Sequence, residues 1–152
     1  MLNVAFELTP AAAEQPVHGL SRGHMSFCVG EQCISSRTQS GDQSMFIFPS
    51  LVLLLDRLQP FLTNASARSV DFQAIDCSFG FDVRRATGRG IVLVAKRMEL
   101  AAGTAPDVAS AIWAEASRFV TEFLPQLRND DLVSDDLRSS MREFRDSLPK
   151  VR

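Results

Sequence analysis

The stretch from Met45 to Leu62, MFIFPSLVLLLDRLQPFL, constrains the fold more than any other because it is the most apolar segment of the chain. From Pro49 onwards, leucines recur at helical spacing and form one stripe. They are Leu51, Leu55, Leu58 and Leu62. Pro49 suits the first turn of a helix, whereas Pro60 should kink or end it near Gln59. The pattern predicts a buried helix that organises the core.

The same stretch bears on location. Its apolar run from Met45 to Leu55 is too short to cross a bilayer, which needs about 20 residues. The N-terminal sequence MLNVAFELTPAAAEQP carries Glu7 and Glu14 where a signal peptide is apolar. Three cysteines leave at least one unpaired, which is typical of a reducing compartment. We expect a cytoplasmic protein without a membrane segment.

Alternating residues predict strands before this helix. Val4, Phe6 and Leu8 share one phase of a short strand. The alternating run within residues 24–37 predicts a hairpin that turns at Gly30-Glu31. The polar run in residues 38–44 predicts a loop that leads to the helix.

In that hairpin register Cys28 and Cys33 face each other as a non-hydrogen-bonded pair, close enough for a disulfide. The alternative is a pair of small, half-buried strand residues with free thiols. The expected reducing compartment favours free thiols.

After the helix, residues 70–83 predict a long strand in which a β-bulge near Gln73-Ala74 absorbs a slip in phase. The β-branched run in residues 91–95 predicts its antiparallel partner. If Phe79 and Phe81 face the core, Asp76 and Asp82 point to the opposite side of the sheet. That second face should be polar and open.

Two helices should complete the chain. Thr104, Pro106 and Asp107 are typical of a helix start, and apolar residues recur at helical spacing as far as Leu127. A final amphipathic segment, about 134–148, predicts a surface helix. The chain is therefore expected to form a single α+β domain over residues 1–152. We predict an antiparallel sheet of about four to five strands with helices packed on one face, in the order β-ββ-α-ββ-α-α.

The chemistry-bearing residues do not favour an enzyme. His18 and His24 are the two histidines. A strand would separate His24 from Cys28 by about 13 Å, too far for a catalytic base and its nucleophile. No spacing typical of a metal site or a nucleotide-binding glycine loop occurs, so we expect neither a metal nor a cofactor. A small hydrolase that uses Asp76 or Asp82 is an alternative.

Charge points to a protein partner. The chain has 16 basic and 18 acidic residues, a formal charge of −2, so no overall field attracts nucleic acid. Four aspartates cluster before the last helix: Asp130, Asp131, Asp135 and Asp136. They would favour the positive end of a helix dipole, or they would form a docking patch for a basic protein. Asp76 and Asp82 would extend such a patch.

The predicted element order, with several short sequences, resembles small bacterial immunity proteins that neutralise partner toxins. These sequences are Phe6-Glu7-Leu8, Ser35-Ser36-Arg37, Leu54-Leu55-Asp56-Arg57-Leu58, Val70-Asp71-Phe72 and Ser78-Phe79. The likeness covers roughly Leu2 to Leu127. It implies a compact, non-catalytic protein that occludes the active surface of a toxin and is often acidic where it meets the toxin.

We therefore predict a non-catalytic protein-binding module, a monomer or homodimer, that acts as an immunity protein. An alternative is a dimeric secretion chaperone for an effector protein, suggested by small size, mild acidity and the C-terminal amphipathic helix.

Overall fold

A computed structural model describes residues 1–38 and 43–148; residues 39–42 of the predicted loop lie outside them. Its strands are β1 (Leu2–Leu8), β2 (Arg22–Val29), β3 (Gln32–Ser35), β4 (Met45–Phe46), β5 (Ser69–Gln73), β6 (Gly80–Arg85), β7 (Gly90–Ala95) and β8 (Met98–Thr104). Its α-helices are α1 (Pro10–Ala13), α2 (Ile47–Thr63), α3 (Ala105–Phe123) and α4 (Leu132–Ser147). A 3-10 turn, Leu124–Gln126, follows α3.

The strands form two antiparallel sheets, which confirms the predicted α+β class. Sheet A has the order β1-β2-β3, with β4 also paired to β2, and sheet B is the meander β5-β6-β7-β8. The prediction of one sheet with four to five strands was too simple. The sheets meet through their apolar faces, where the rings of Phe27 and Phe81 lie 4.8 Å apart. Both sheets contribute to one continuous apolar core.

The predicted long strand over residues 70–83 is wrong, because the chain reverses between β5 and β6. The backbone N–H of Ala74 donates to the carbonyl of Phe79 at 2.9 Å and closes this turn. Asp76 supplies the left-handed conformation that the reversal needs, with φ of 71°. The slip in apolar phase therefore marked a turn, not a bulge.

Strand β8 was not predicted because its sequence, MELAAGT, is poor in β-branched residues. Pairing with β7 selects the extended conformation instead. Leu100 lies opposite Leu93, and both side chains are buried in the core. A register shift between Ile91 and Val92 bends the pair near its end.

Helix α2 is the predicted central helix, and its leucine stripe lies in the core. Leu51, Leu55 and Leu58 are buried, and Leu62, at the end of the stripe, is half-buried. Pro60 was expected to kink or end the helix near Gln59, but the helix continues through Pro60 to Thr63. Pro60 has no N–H to donate to the Asp56 carbonyl, so the helix lacks one hydrogen bond there, and only three helical residues follow it.

The C-terminal helix α4 begins at Leu132, slightly earlier than predicted. Its apolar stripe is buried against α2, with Leu137 and Phe144 at 0% and 1% exposure. The helix is thus half surface and half core. Among the described residues, no helix is long and apolar enough to cross a membrane.

Helix α3 covers the outer edge of β1. The backbone N–H of Phe6 donates to Glu115 Oε2 at 2.8 Å, and its carbonyl accepts from Arg118 Nη2 at 3.1 Å. Glu115 also accepts from Arg118, which raises the pKa of the guanidinium above its ordinary value. Two helical side chains thus satisfy an edge backbone that would otherwise be open to another strand.

Cys28 and Cys33 form a disulfide across the β2–β3 hairpin, with Cα atoms 4.1 Å apart. The interpretation as free thiols was therefore wrong. Gly30, at φ of 60°, opens the two-residue turn, which makes Val29 and Gln32 the hydrogen-bonded pair next to it. The cysteines become the following, non-hydrogen-bonded pair, in which side chains approach most closely. Cys77 lies in the β5–β6 turn and is partly buried.

Candidate functional site

Helices α2 and α4 enclose a surface groove, here called the α2–α4 groove. It consists of two cavities of about 600 and 450 Å³, which share Val52 and Asp136. Pro49, early in α2, lies at the same end as Leu132, whereas Pro60 lies at the end of Glu143. The two helices therefore run in the same direction along the groove.

One end of the groove is apolar and open to solvent. Leu132, the first residue of α4, is 81% exposed, and Leu20, in the loop before β2, is 54% exposed. Both side chains line the larger cavity together with Pro49, Val52 and Val133. Large apolar side chains that cluster on a surface next to a cavity are typical of a contact site for another molecule.

The groove walls are acidic. Asp56 of α2 faces Asp136 and Glu143 of α4 across the smaller cavity, and Asp131 lies at the apolar end. Among the described residues, no lysine or arginine lines either cavity. The groove therefore presents negative charge beside exposed leucines.

Local sequence features hold this geometry. Asp131 is the N-cap of α4, and its Oδ1 accepts from the backbone N–H of Val133 at 3.1 Å. Its Oδ2 accepts from the backbone N–H of Gly19, also at 3.1 Å. A Cβ at Gly19 would lie 2.6 Å from that oxygen, so the close approach requires glycine. One carboxylate thus fixes both the start of α4 and the loop that carries Leu20.

A second contact fixes the spacing of the helices. Ser140 Oγ of α4 donates to Asp56 Oδ1 of α2 at 2.7 Å. Beneath it, the buried stripe of α4 packs on α2. The groove floor is therefore part of the core, so its shape is set by folding.

The four clustered aspartates have different roles in the structure. Asp131 is the helix cap, which confirms the capping interpretation for that residue. Asp136 is exposed and lines both cavities. Asp135 lies 3.7 Å from Arg138, and Asp130 lies 3.3 Å from Arg128, in exposed pairs outside the groove lining.

Asp76 and Asp82 do not extend this cluster. Asp76 lies in the β5–β6 turn and pairs with Arg22 at 2.7 Å, whereas Asp82 lies on β6 and pairs with Arg84 at 3.1 Å. Neither residue lines the groove.

The outer face of sheet B is polar and open, as predicted. Asp71, Asp82, Val94 and Glu99 follow one another across its four strands. Asp71 is held by Arg57, whose Nη2 donates to its carboxylate at 2.5 Å. The acidic charge on this face is thus partly neutralised.

Sequence reasoning missed Leu20, Leu132, Asp56 and Glu143. Leu132 falls outside the apolar stripe of α4, a signal that its side chain points away from the core. Leu20 lies in a loop without periodicity, and Asp56 and Glu143 belong to two distant segments. No sequence pattern brings these residues to one groove.

The structure also bears on the catalytic alternatives. Cys28 is disulfide-bonded, so it has no free thiol that could act as a nucleophile with His24 as its base. His24 Nδ1 lies 2.9 Å from the hydroxyl of Ser36, which is buried and bonded to the backbone of Met25. In the described residues, no cluster of three or more His, Cys, Asp or Glu side chains forms a metal site.

Comparison with protein-family models, with curated proteins and with solved structures finds no match to this chain.

Proposed function

We propose that this protein is a non-catalytic binding module, and most concretely an immunity protein that neutralises a toxin by occluding its active surface. One observation carries the proposal: the exposed Leu20 and Leu132 lie together beside the carboxylates of the α2–α4 groove. Apolar anchors with neighbouring charge of one sign are typical of protein–protein interfaces.

The leucines and the carboxylates are expected to contribute to binding in different ways. Covering a leucine contributes roughly 1.5–3 kcal/mol of hydrophobic free energy when the whole side chain leaves water. Leu132, at 81% exposure, has most of that gain still available. The carboxylates of Asp136 and Glu143 would accelerate association with a basic surface and fix its orientation. A toxin held this way loses access to its substrate through steric occlusion.

The secretion-chaperone alternative was suggested by small size, mild acidity and the C-terminal amphipathic helix. The third feature supports it less, because Leu137 and Phe144 on the apolar face of α4 are buried within the chain itself. The hydrolase alternative is weakened as well. Asp76 and Asp82 belong to different elements, and each is paired with an arginine of its own.

We further propose a cytoplasmic location, where an immunity protein meets a toxin made in the same cell. The disulfide of Cys28 and Cys33 is unusual for such a compartment. Alkylation of the protein in rapidly quenched cells, followed by mass measurement, would detect whether the two thiols are blocked. Recovery of the protein from an extracellular fraction would contradict this location.

The test of the proposed function is co-expression with the product of the adjacent gene. We expect that product to inhibit growth, the present chain to relieve the inhibition, and the two purified proteins to form a complex. Leu20→Ala with Leu132→Ala should weaken both the relief and the complex. The matched control is Ile75→Ala, because Ile75 is also exposed but lies in the β5–β6 turn.

A harmless neighbouring product, or a toxic one that neither binds nor is relieved by this chain, would refute the immunity function. Equal loss with the leucine variants and with Ile75→Ala would refute the assignment of the groove as the contact surface.

A further inference from the structure

The α2–α4 groove has the shape and chemistry to accept one further helix. Its walls are two helices that run in the same direction, and its lining extends along α4 from Leu132 to Glu143. At 1.5 Å per residue, this lining is about 16 Å long, or three helical turns. We propose that the groove binds a cationic amphipathic α-helix of the partner, an inference that rests on the proposed function.

The geometry favours a helix over an extended segment. Side chains of neighbouring helices form ridges with a groove between them, and a third helix packs into such a groove by inserting its own ridges. An extended peptide instead binds through backbone groups at a sheet edge. The lining here consists of helical side chains and the loop of residues 18–20, so it offers ridges and not a strand edge.

The positions of the carboxylates specify the charge of that helix. Asp136 and Glu143 are seven residues apart on α4, which places them on the same side of the helix, about 10 Å apart. Asp56 stands on the opposite wall. A bound helix with Lys or Arg at positions seven apart would meet both α4 carboxylates.

The leucines specify the other requirement. Leu20 and Leu132 lie together at one end of the groove, next to Val133. An apolar side chain of the bound helix that lies beyond its basic residues would cover them. The partner segment therefore combines two turns with basic residues and one apolar anchor.

The first test uses defined peptides of about 15 residues, long enough for a marginal helix in water. The probe is a fluorescein-labelled amphipathic helix of Leu and Lys, and its binding is followed by fluorescence anisotropy at physiological ionic strength. Two matched peptides replace every Lys by Glu or place prolines in the middle. We expect the Leu–Lys helix to bind, and the acidic and proline-containing peptides to fail.

Variants locate the site. Asp136→Asn with Glu143→Gln should weaken binding of the Leu–Lys helix roughly tenfold, as expected for the loss of two exposed ion pairs. Glu99→Gln, which removes one exposed carboxylate from the outer face of sheet B, should leave the affinity unchanged. Equal binding of the proline-containing peptide, or full affinity in the Asp136 and Glu143 variant, would overturn the inference.

Competition distinguishes this inference from the proposed function. If the protein neutralises its toxin through Leu132 but an excess of the Leu–Lys helix does not displace that toxin, the helical binding mode is wrong and the immunity function stands. If the peptide binds the groove but the chain relieves no toxicity, the immunity function is wrong and the ligand class of the groove stands.

Discussion

Two leucines on one helix offer a sharp test of the distinction between core and contact surface. Leu137 of α4 is 0% exposed, whereas Leu132, five residues earlier, is 81% exposed. Replacing a fully buried leucine by alanine removes its packing and leaves a cavity, which costs about 2–5 kcal/mol. A change at an exposed position usually stays within about 0.5 kcal/mol.

We therefore expect Leu137→Ala to lower the free energy of unfolding by about 3 kcal/mol. At about 2–4 °C per kcal/mol for a chain of this size, the melting temperature should fall by roughly 6–12 °C. Leu132→Ala should melt close to the parent protein. Urea unfolding followed by circular dichroism measures both changes, with melting curves as a second readout.

In the binding assay we expect Leu132→Ala to have the larger effect and Leu137→Ala the smaller one. Leu132→Ala should weaken the partner complex, while the folded fraction of Leu137→Ala should retain most of its affinity, because Leu137 faces α2 and not the groove. A loss of stability in Leu132→Ala as large as in Leu137→Ala would refute the reasoning. It would mean that the exposed leucine supports the fold and is not kept for a partner.

Three further outcomes can be measured by the same methods. Asp131→Ala should cost about 1–2 kcal/mol, because it removes the α4 cap and the bond to the loop before β2; a neutral result would exclude the capping role. Serine at both Cys28 and Cys33 should cost up to about 2 kcal/mol for a cross-link across five residues, and a dithiol reductant should destabilise the parent but not the variant. The backbone N–H of Thr104 donates to Asp107 and holds the pKa of that carboxyl below its ordinary value of 3.8. The stabilisation from ionised Asp107 is therefore complete above pH 3.8 and is lost as the pH falls through the lower pKa of the folded state. Asp107→Asn should abolish this part of the acid sensitivity in melting curves below about pH 4.

The elements that were predictable from sequence are those whose local pattern agrees with their final environment. The leucine stripe of α2, the cap of α3 at Thr104 and the hairpin around Gly30 each depend on residues close together in the chain. Because these features depend on neighbouring residues, residue spacing and turn chemistry are enough to predict them. The α+β class follows from the same signals.

What was missed depends on distant parts of the chain. Strand β8 is extended because β7 and the core favour that conformation, whereas its own sequence has little β propensity. The turn at Asp76 looked like a continuing strand, since Ile75 and Cys77 share the phase of the apolar residues around them. An alternating apolar pattern can run through a turn as well as along a strand. Here the pairing of Gln73 with Gly80 shows that the chain turns between them.

The same reasoning explains why the acidic cluster before α4 was an incomplete guide to the candidate site. Asp131 and Asp136 are close in sequence but have separate roles in the fold. Both carboxylate oxygens of Asp131 accept hydrogen bonds from backbone N–H groups, whereas Asp136 lines the groove. Asp131 keeps its negative charge, but its two hydrogen bonds to backbone N–H groups fix its orientation, so its first role is structural. Asp136 and Glu143 line the groove together from α4, a relation that the sequence alone did not indicate. Their relation exists because the buried face of α4 fixes which of its side chains point along the groove, so the core that hides Leu137 also determines where a partner can dock.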